Sequence, residues 1–99
     1  MKLVYADEAT EDLVRIGDHI ALDNPWRAVT FIDELRTKCA TLTAHPLMYP
    51  LVPRYERFGV RRAVHKTYLI FYRVGEEDVT VVHVLSGAMD YESALFPAD

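Results

Sequence analysis

The sequence predicts an α+β fold, and three observations support this class. Apolar residues recur at helical spacing in the first half of the chain, between Leu13 and Leu42. After Val60 the composition changes to β-branched and aromatic runs, namely VRRAVH, YLIFYRV and VTVVHVLS. A segment with three prolines and a glycine, PLMYPLVPRYERFG, separates the two regions and is predicted to be a loop. We therefore expect an N-terminal strand, a helical hairpin, an antiparallel β-meander and a short C-terminal helix, forming one domain over residues 1–99.

The elements before the loop have clear start and stop signals. Residues 2–6, KLVYA, fit a short strand, and Asp7 offers an N-cap for a first helix with further acidic residues near its positive end. Asn24 and Pro25 supply an N-cap and a first helical residue for a second helix, which should stop before Pro46. The apolar stripe of this second helix consists of Ala28, Phe31, Ile32, Leu35, Cys39 and Leu42. The two helices are expected to form a hairpin.

The meander is expected to have two apolar faces. With tight turns at 66–67 and 75–78, alternation of side chains places one set of residues on a single face, namely Val60, Arg62, Val64, Leu69, Phe71, Arg73, Thr80, Val82 and Val84. The other face receives Arg61, Ala63, His65, Tyr68, Ile70, Tyr72, Val74, Val79, Val81, His83 and Leu85. One helical hairpin can cover only one of these faces. We therefore expect the other face to be open and to require a partner.

Composition argues against several classes of protein. The net charge is −4, and residues 54–73 hold six Lys or Arg against one acid, whereas residues 74–99 hold six acids and no Lys or Arg. Proteins that grip nucleic acid are normally basic overall, so direct nucleic-acid binding is not expected. No apolar run approaches the ~20 residues that cross a bilayer, and MKLVYADEAT lacks a signal-peptide pattern. We expect a cytoplasmic protein without membrane association, and the lone Cys39 is expected to be a small buried hydrophobe.

The stretch VHVLSGAMDYESALF, residues 82–96, contains His83, Ser86, Asp90 and Tyr91 and invites a catalytic-triad interpretation. His83 and Ser86 would point to opposite faces of a continuing strand, which prevents a hydrogen bond between them. A core or rim histidine, a turn-forming serine and a helix-capping aspartate are the preferred interpretation. The histidines lack metal-ligand spacing, and the isolated glycines do not form a phosphate-binding loop. We expect no catalytic residues, no metal and no cofactor.

Several pieces of the chain, taken in order, resemble the RelE/ParE toxin superfamily of bacterial type II toxin-antitoxin systems. The pieces are His45-Pro46, Pro50, Gly59-Val60-Arg61-Arg62, the run Tyr68 to Val74, and Val82 to Leu85 followed by Asp90. The resemblance covers nearly the whole chain, and within the superfamily the pattern is most similar to ParE-type toxins. It implies a toxin that inhibits DNA gyrase and forms a hetero-oligomer with a ParD-like antitoxin. The C-terminal segment of such an antitoxin lies on the toxin and would cover the open face.

The resemblance also implies a set of antitoxin-binding residues and a limit on enzymatic activity. The apolar floor would be Leu69, Phe71, Val82 and Val84, the cations pairing with antitoxin acids would be Arg62 and Arg73, and the end of the groove would be Met89, Tyr91, Leu95 and Phe96. RelE-type ribonucleases use several cations and often a tyrosine, but Leu69 and Met89 stand where cations are expected, and Leu95 or Phe96 stands near the expected aromatic acid-base. A non-enzymatic inhibitor is therefore expected. The alternatives are a ribosome-dependent mRNA endoribonuclease and a non-toxic partner-binding module.

Overall fold

A computed structural model describes residues 1–96 and contains every element that the sequence predicts. The elements are β1 (Lys2–Tyr5), α1 (Asp7–Ala21), α2 (Pro25–Thr41), a 3₁₀ turn (Glu56–Phe58), β2 (Val60–His65), β3 (Tyr68–Val74), β4 (Asp78–Ser86) and α3 (Tyr91–Leu95). The predicted α+β class is confirmed. Within residues 1–96, no helix combines the length and the apolar character that crossing a membrane requires.

The four strands form one mixed sheet in the order β1-β4-β3-β2. Strands β2, β3 and β4 make the predicted antiparallel meander, and β1 pairs with β4 in parallel. The chain therefore passes from β1 through both helices before it enters the meander. This path places α1 and α2 on one face of the sheet, which we call the first face; the opposite face is the second face.

The capping signals predict one helix start correctly and misplace the other by one residue. The Asn24 side chain accepts a hydrogen bond from the Arg27 backbone N–H at 3.0 Å, and Pro25 is the first residue of α2, as predicted. In α1 the N-cap is Ala6, which makes no side-chain cap. Asp7 is instead the first helical residue, where its negative charge still lies near the positive end of the helix.

The first face carries the main hydrophobic core. Thirteen buried residues from both helices, the segment just after α2, and strands β2 to β4 pack together there: Ala9, Leu13, Ile16, Phe31, Leu35, Cys39, Leu42, Ala63, Ile70, Tyr72, Val79, Val81 and Val84. The hydroxyl of Tyr72 donates to the carbonyl oxygen of Pro46 at 2.8 Å, which anchors the start of the proline loop to this layer. Cys39 is fully buried, as expected.

A β-bulge in β4 changes the predicted assignment of residues to faces. Tyr72 pairs with Val81 whereas Phe71 pairs with His83, so Val82 is an extra residue in β4. Since side chains alternate along a strand, one extra residue exchanges the faces of everything after it. Val84 therefore lies in the first-face core and Leu85 packs on the second face. The predictions of Val84 on the open face and Leu85 on the helix-covered face are wrong for this reason.

The second face is not open at its centre, which corrects the expectation of an uncovered apolar face. Phe71 is 0% exposed, Val60 2% and Leu85 5%. These residues are covered by the proline loop and by the last described residues of the chain, specifically by Val52, Tyr55, Tyr91, Leu95 and Phe96. Irregular segments of the chain itself thus provide part of the cover that was expected to come from a partner.

Candidate partner-binding surface

Eight of the ten residues predicted to bind a partner belong to the second face or to its cover. Leu69, Phe71, Val82, Tyr91, Leu95 and Phe96 form or pack against the hydrophobic cluster of that face, and Arg62 and Arg73 lie on it in register with Phe71 and Val60. Met89 follows β4, is 43% exposed and borders a cleft beside α1. Val84 is buried on the first face and does not belong to the surface.

Residues 90–96, which we call the C-terminal segment, are held on the second face by aromatic contacts. The rings of Tyr55 and Phe96 stack with centroids 4.2 Å apart and an interplanar angle of 4°, and Phe58 lies 5.0 Å from Phe96 on centroids. Tyr91 contacts Phe71 at 5.1 Å between ring centroids. The segment begins with Asp90, whose carboxylate caps α3 by accepting from the backbone N–H of Ser93, as the sequence predicts. Capping also lowers the pKa of Asp90, chiefly through its hydrogen bonds with Ser93.

Arg62 is committed to this C-terminal segment. Its guanidinium donates to the hydroxyl of Tyr91 at 2.8 Å and lies 6.0 Å from the centroid of the same ring. Arg62 is half-buried between β2 and the segment. A guanidinium held in this way helps fix the segment, and it is less available to an incoming partner than the sequence suggested.

The part of the second face that stays accessible is a strip beside the C-terminal segment. Val64 is 53% exposed, Arg73 is exposed, and Leu69 and Val82 are half-buried. A cleft of about 430 Å³ opens at the Arg73 end of this face; it is lined by Ala6, Glu8, Val60, Arg73, Thr80, Val82, His83, Ala94 and Leu95. We call it the Arg73 cleft. It combines an apolar wall with polar groups, which suits a peptide carrying both kinds of side chain.

A buried carboxylate, Asp12, and the half-buried His83 form a polar pair that the sequence did not predict. Asp12 is 2% exposed, and its Oδ2 lies 2.7 Å from Nδ1 of His83 and accepts the backbone N–H of Val84 at 2.9 Å. Arg15 hydrogen-bonds the other carboxylate oxygen. The available signal was an acid next to Leu13 on the apolar stripe that also contains Ala9 and Ile16. Such a carboxylate requires hydrogen-bond partners, and His83 and Val84, which follow the bulge in β4, provide two of them.

The residues that suggested a catalytic triad do not assemble into one. Ser86 Oγ accepts from the backbone N–H of Ala88 at 3.3 Å, and the Asp90 carboxylate bonds Ser93, so both serve local turns. His83 pairs with Asp12 instead of with either of them. Among residues 1–96 no three His, Cys, Asp or Glu side chains gather closely enough to hold a metal ion.

A second polar cluster joins α2 to the edge strand β2 on the other side of the molecule. Glu34 bonds Arg27 at 2.5 Å and lies 3.1 Å from Nε2 of His65. The hydrogen bond from Arg27, supplemented by the one with His65, lowers the pKa of Glu34 to about 2. The side chains of Arg27, Glu34 and His65 are 39%, 35% and 20% exposed. They therefore form a surface clamp between the helix layer and the sheet.

Comparisons with known proteins agree with this architecture. A family model described as the ParE toxin of the type II toxin-antitoxin system parDE matches residues 3–91. A search of curated protein sequences finds no significant match.

Solved structures share the fold at low sequence identity. A structure of the chromosomal ParDE toxin-antitoxin system from P. aeruginosa aligns with a TM-score of 0.75 and 20% identity, covering 87% of this chain and 95% of the other. The toxin-antitoxin complex RelBE2 from Mycobacterium tuberculosis aligns with a TM-score of 0.64 and 18% identity, covering 86% and 95%. At these identities the structures establish the fold, and the family model establishes the family. The chain belongs to the ParE toxin family of type II toxin-antitoxin systems.

Proposed function

We propose that this protein is a non-enzymatic toxin that binds and inhibits DNA gyrase in the cytoplasm, and that a ParD-like antitoxin neutralises it. The observation that carries the proposal is the ParE family match across residues 3–91. Gyrase inhibition is the activity that the resemblance to ParE-type toxins implies. The specific target and the specific antitoxin are therefore inferences from the family.

The composition of the second face supports inhibition by binding over RNA cleavage. Arg62, the one position that matches a catalytic cation of RelE-type ribonucleases, is engaged by the Tyr91 hydroxyl. Leu69 and Met89 provide no charge where the resemblance predicts cations. Since loss of a single donor that stabilises transition-state charge commonly costs ~10² in rate, a site lacking most of them would be very slow.

The accessible strip of the second face supports an antitoxin partner. Two similar solved structures come from toxin-antitoxin systems. In this chain Val82 offers partly exposed apolar surface in the cleft that also contains the exposed Arg73, and Val64 and Leu69 offer more of it further along β2 and β3. We propose that an antitoxin segment lies along this strip, beside the C-terminal segment, with its apolar side chains on the strip and its acids toward Arg73.

The Asp12–His83 pair favours ribonuclease activity as a second candidate function. A carboxylate that fixes one nitrogen of a histidine leaves the other nitrogen oriented for proton transfer. His83 has this arrangement, with Nδ1 2.7 Å from Asp12. The candidate ranks second because Glu8 and Glu11 of α1 line the clefts next to this histidine and repel RNA.

Two assays on the purified chain separate the candidates. Gyrase supercoiling of relaxed plasmid is followed at increasing toxin concentration, and transcript cleavage is followed in a translating extract with the same preparation. We expect supercoiling to be inhibited and transcripts to stay intact. Cleavage without gyrase inhibition would contradict the proposal, and the absence of both effects would favour a non-toxic partner-binding module.

Substitutions add a control to these assays. Arg62→Ala abolishes transcript cleavage if the ribonuclease candidate is correct, because it removes the matching catalytic cation. Arg57→Ala serves as the matched control, since Arg57 is exposed on the 3₁₀ turn and borders neither cleft near His83. We expect the two variants to inhibit gyrase alike, provided that circular dichroism shows the Arg62 variant to be folded.

A further inference from the structure

His83 is held in a fixed orientation by a buried carboxylate. Oδ2 of Asp12 lies 2.7 Å from Nδ1 of His83 and also accepts the Val84 backbone N–H at 2.9 Å. A carboxylate only accepts hydrogen bonds, so Nδ1 carries a proton and donates it. The other ring nitrogen, Nε2, makes no hydrogen bond within residues 1–96. The side chain is 22% exposed and lines two clefts, so the anchored ring is accessible to a ligand.

Arg73 lines the same cleft as His83. The Arg73 cleft has a volume of about 430 Å³, and Thr80, directly across the strand pair from Arg73, also lines it. Arg73 is exposed and pairs with no acid among residues 1–96. The remaining wall is mostly apolar, formed by Ala6, Val60, Val82, Ala94 and Leu95, and Glu8 is its one acid. The cleft therefore places a guanidinium and an imidazole ring beside apolar side chains.

We propose that Arg73 and His83 together bind one carboxylate side chain of a peptide segment lying in the Arg73 cleft. The inference rests on the proposed function for the identity of that segment, which is the antitoxin. An arginine matches a carboxylate with paired N–H donors, and a protonated imidazole adds a second, charge-assisted donor. A flanking aliphatic side chain of the segment would contact Val82 and Leu95, which line the same cleft.

The charges around the cleft favour a carboxylate over a phosphate. Glu8 borders the site itself, and Glu11 lines the adjoining cleft of about 660 Å³ that shares His83 as a wall. A doubly charged phosphate meets more repulsion from these acids than a singly charged carboxylate does. The site is thus suited to an acidic side chain on a partly apolar peptide.

Binding of a carboxylate at Nε2 requires that His83 be protonated, because a neutral ring has a lone pair at that atom. Binding is therefore coupled to proton uptake and strengthens as the pH falls. Ionisable groups from two elements line the two clefts around His83: Glu8, Glu11, Asp12, Arg15 and His19 from α1, and Tyr68 and Arg73 from β3. The residues of α3 that line these clefts, Ala94 and Leu95, do not ionise.

The test uses a peptide pair on the purified chain, without antitoxin or gyrase. An acetylated leucyl-glutamyl-leucine amide, its glutaminyl counterpart and inorganic phosphate are titrated while NMR follows the side-chain signals of Arg73 and His83. We expect saturable shifts with the glutamyl peptide and affinity at least about tenfold weaker for the glutaminyl peptide. Arg73→Gln and His83→Gln should each weaken glutamyl-peptide binding by a similar factor, whereas Arg57→Gln should leave it unchanged.

The pH dependence separates direct binding by His83 from a structural role. Wild-type affinity should rise as the pH falls, because the ring must take up a proton to donate from Nε2, and this rise should be absent in His83→Gln. Arg73 is exposed, so Arg73→Gln tests the site even if the histidine variant is unstable. Equal binding of both peptides, tighter binding of phosphate than of the glutamyl peptide, or no saturable shift would each overturn the inference. The peptide titration contains no gyrase, so a failure of gyrase inhibition in the separate supercoiling assay would not change the interpretation of these results.

Discussion

The two faces of the sheet are both covered by the chain, but by cover of different kinds. On the first face, two regular helices contribute to a cluster of thirteen buried residues. On the second face the described residues include four buried ones, Val52, Val60, Phe71 and Leu85, in a cluster covered by the proline loop and a short C-terminal segment. The first face therefore holds the fold together, and the second is the face whose surface a partner can still use.

The difference in cover predicts a difference in what substitutions do. A side chain in the first-face core is surrounded by other buried side chains, so its truncation leaves a cavity. A residue of the second-face cover is half-buried and held by a few aromatic contacts, so its removal costs less and acts locally. Four substitutions test this contrast, in order of decreasing expected effect.

The largest effect is expected for Leu35→Ala on α2. Leu35 is 0% exposed in the first-face core, and truncating such a leucine costs about 3 to 4 kcal/mol of unfolding free energy. Leu95→Ala, on the half-buried cover of the second face, should cost about 1 kcal/mol. Urea denaturation of both variants provides the comparison. Equal losses would show that the C-terminal segment is as integral to the fold as the helices.

The next largest effect is expected for Asp12→Asn, at the bulge where β4 exchanges faces. Neutralising this 2%-exposed carboxylate weakens its bonds to His83, Val84 and Arg15, with a cost of about 2 to 3 kcal/mol. Arg15→Ala is the matched control, because its side chain is 66% exposed and an exposed ion-pair partner contributes at most about 1 kcal/mol. Urea midpoints that fall equally in both variants would contradict this account.

A smaller and more local effect is expected for Phe96→Ala. The change removes stacking on Tyr55 and Phe58, worth about 1 kcal/mol. Amide hydrogen exchange should speed up in residues 90–96 while the amides of β3 and β4 keep their protection. Faster exchange throughout the sheet would show that the cover of the second face unfolds together with the core.

The sequence predicted the elements well because their signals are local. The helical stripe, the Asn24-Pro25 start of α2 and the Asp90 cap of α3 each depend on neighbouring residues. The bulge at Val82 has no such local signal, and the Val84 backbone N–H that follows it donates to Asp12, 72 residues earlier in α1. Alternation alone therefore placed Val84 and Leu85 on the wrong faces.

The candidate site was predicted less completely for the same reason. The prediction of the ten residues rests on strand alternation and family resemblance, which identify the second face but not what covers it. The stacking of Tyr55 on Phe96 joins a loop to the chain end, and no periodic pattern connects those positions. The buried Asp12 did leave a signal, because an acid on an apolar helix stripe needs a partner.

The smallest of the four effects is expected for Glu34→Gln and concerns stability in acid. It is tested by comparing one surface ion pair on each side of the sheet. On the first side Glu34 bonds Arg27 and His65, and these bonds lower its pKa to about 2 from an ordinary value of 4.5. A depressed pKa stabilises the folded state fully above the ordinary value, and this contribution disappears as the pH falls from 4.5 through about 2. The stability difference between wild type and Glu34→Gln should therefore be constant near neutral pH and vanish across that interval.

Glu92 provides the matched position on the second side. It lies 3.6 Å from the guanidinium of Arg54, whose side chain is 82% exposed, and such exposed pairs contribute little. Glu92→Gln should therefore follow the wild-type acid denaturation curve within error, whereas Glu34→Gln should not. If the two variants lose stability in parallel, the Glu34 clamp has no special role in joining α2 to β2, and the edge of the first-face core is held by apolar packing alone.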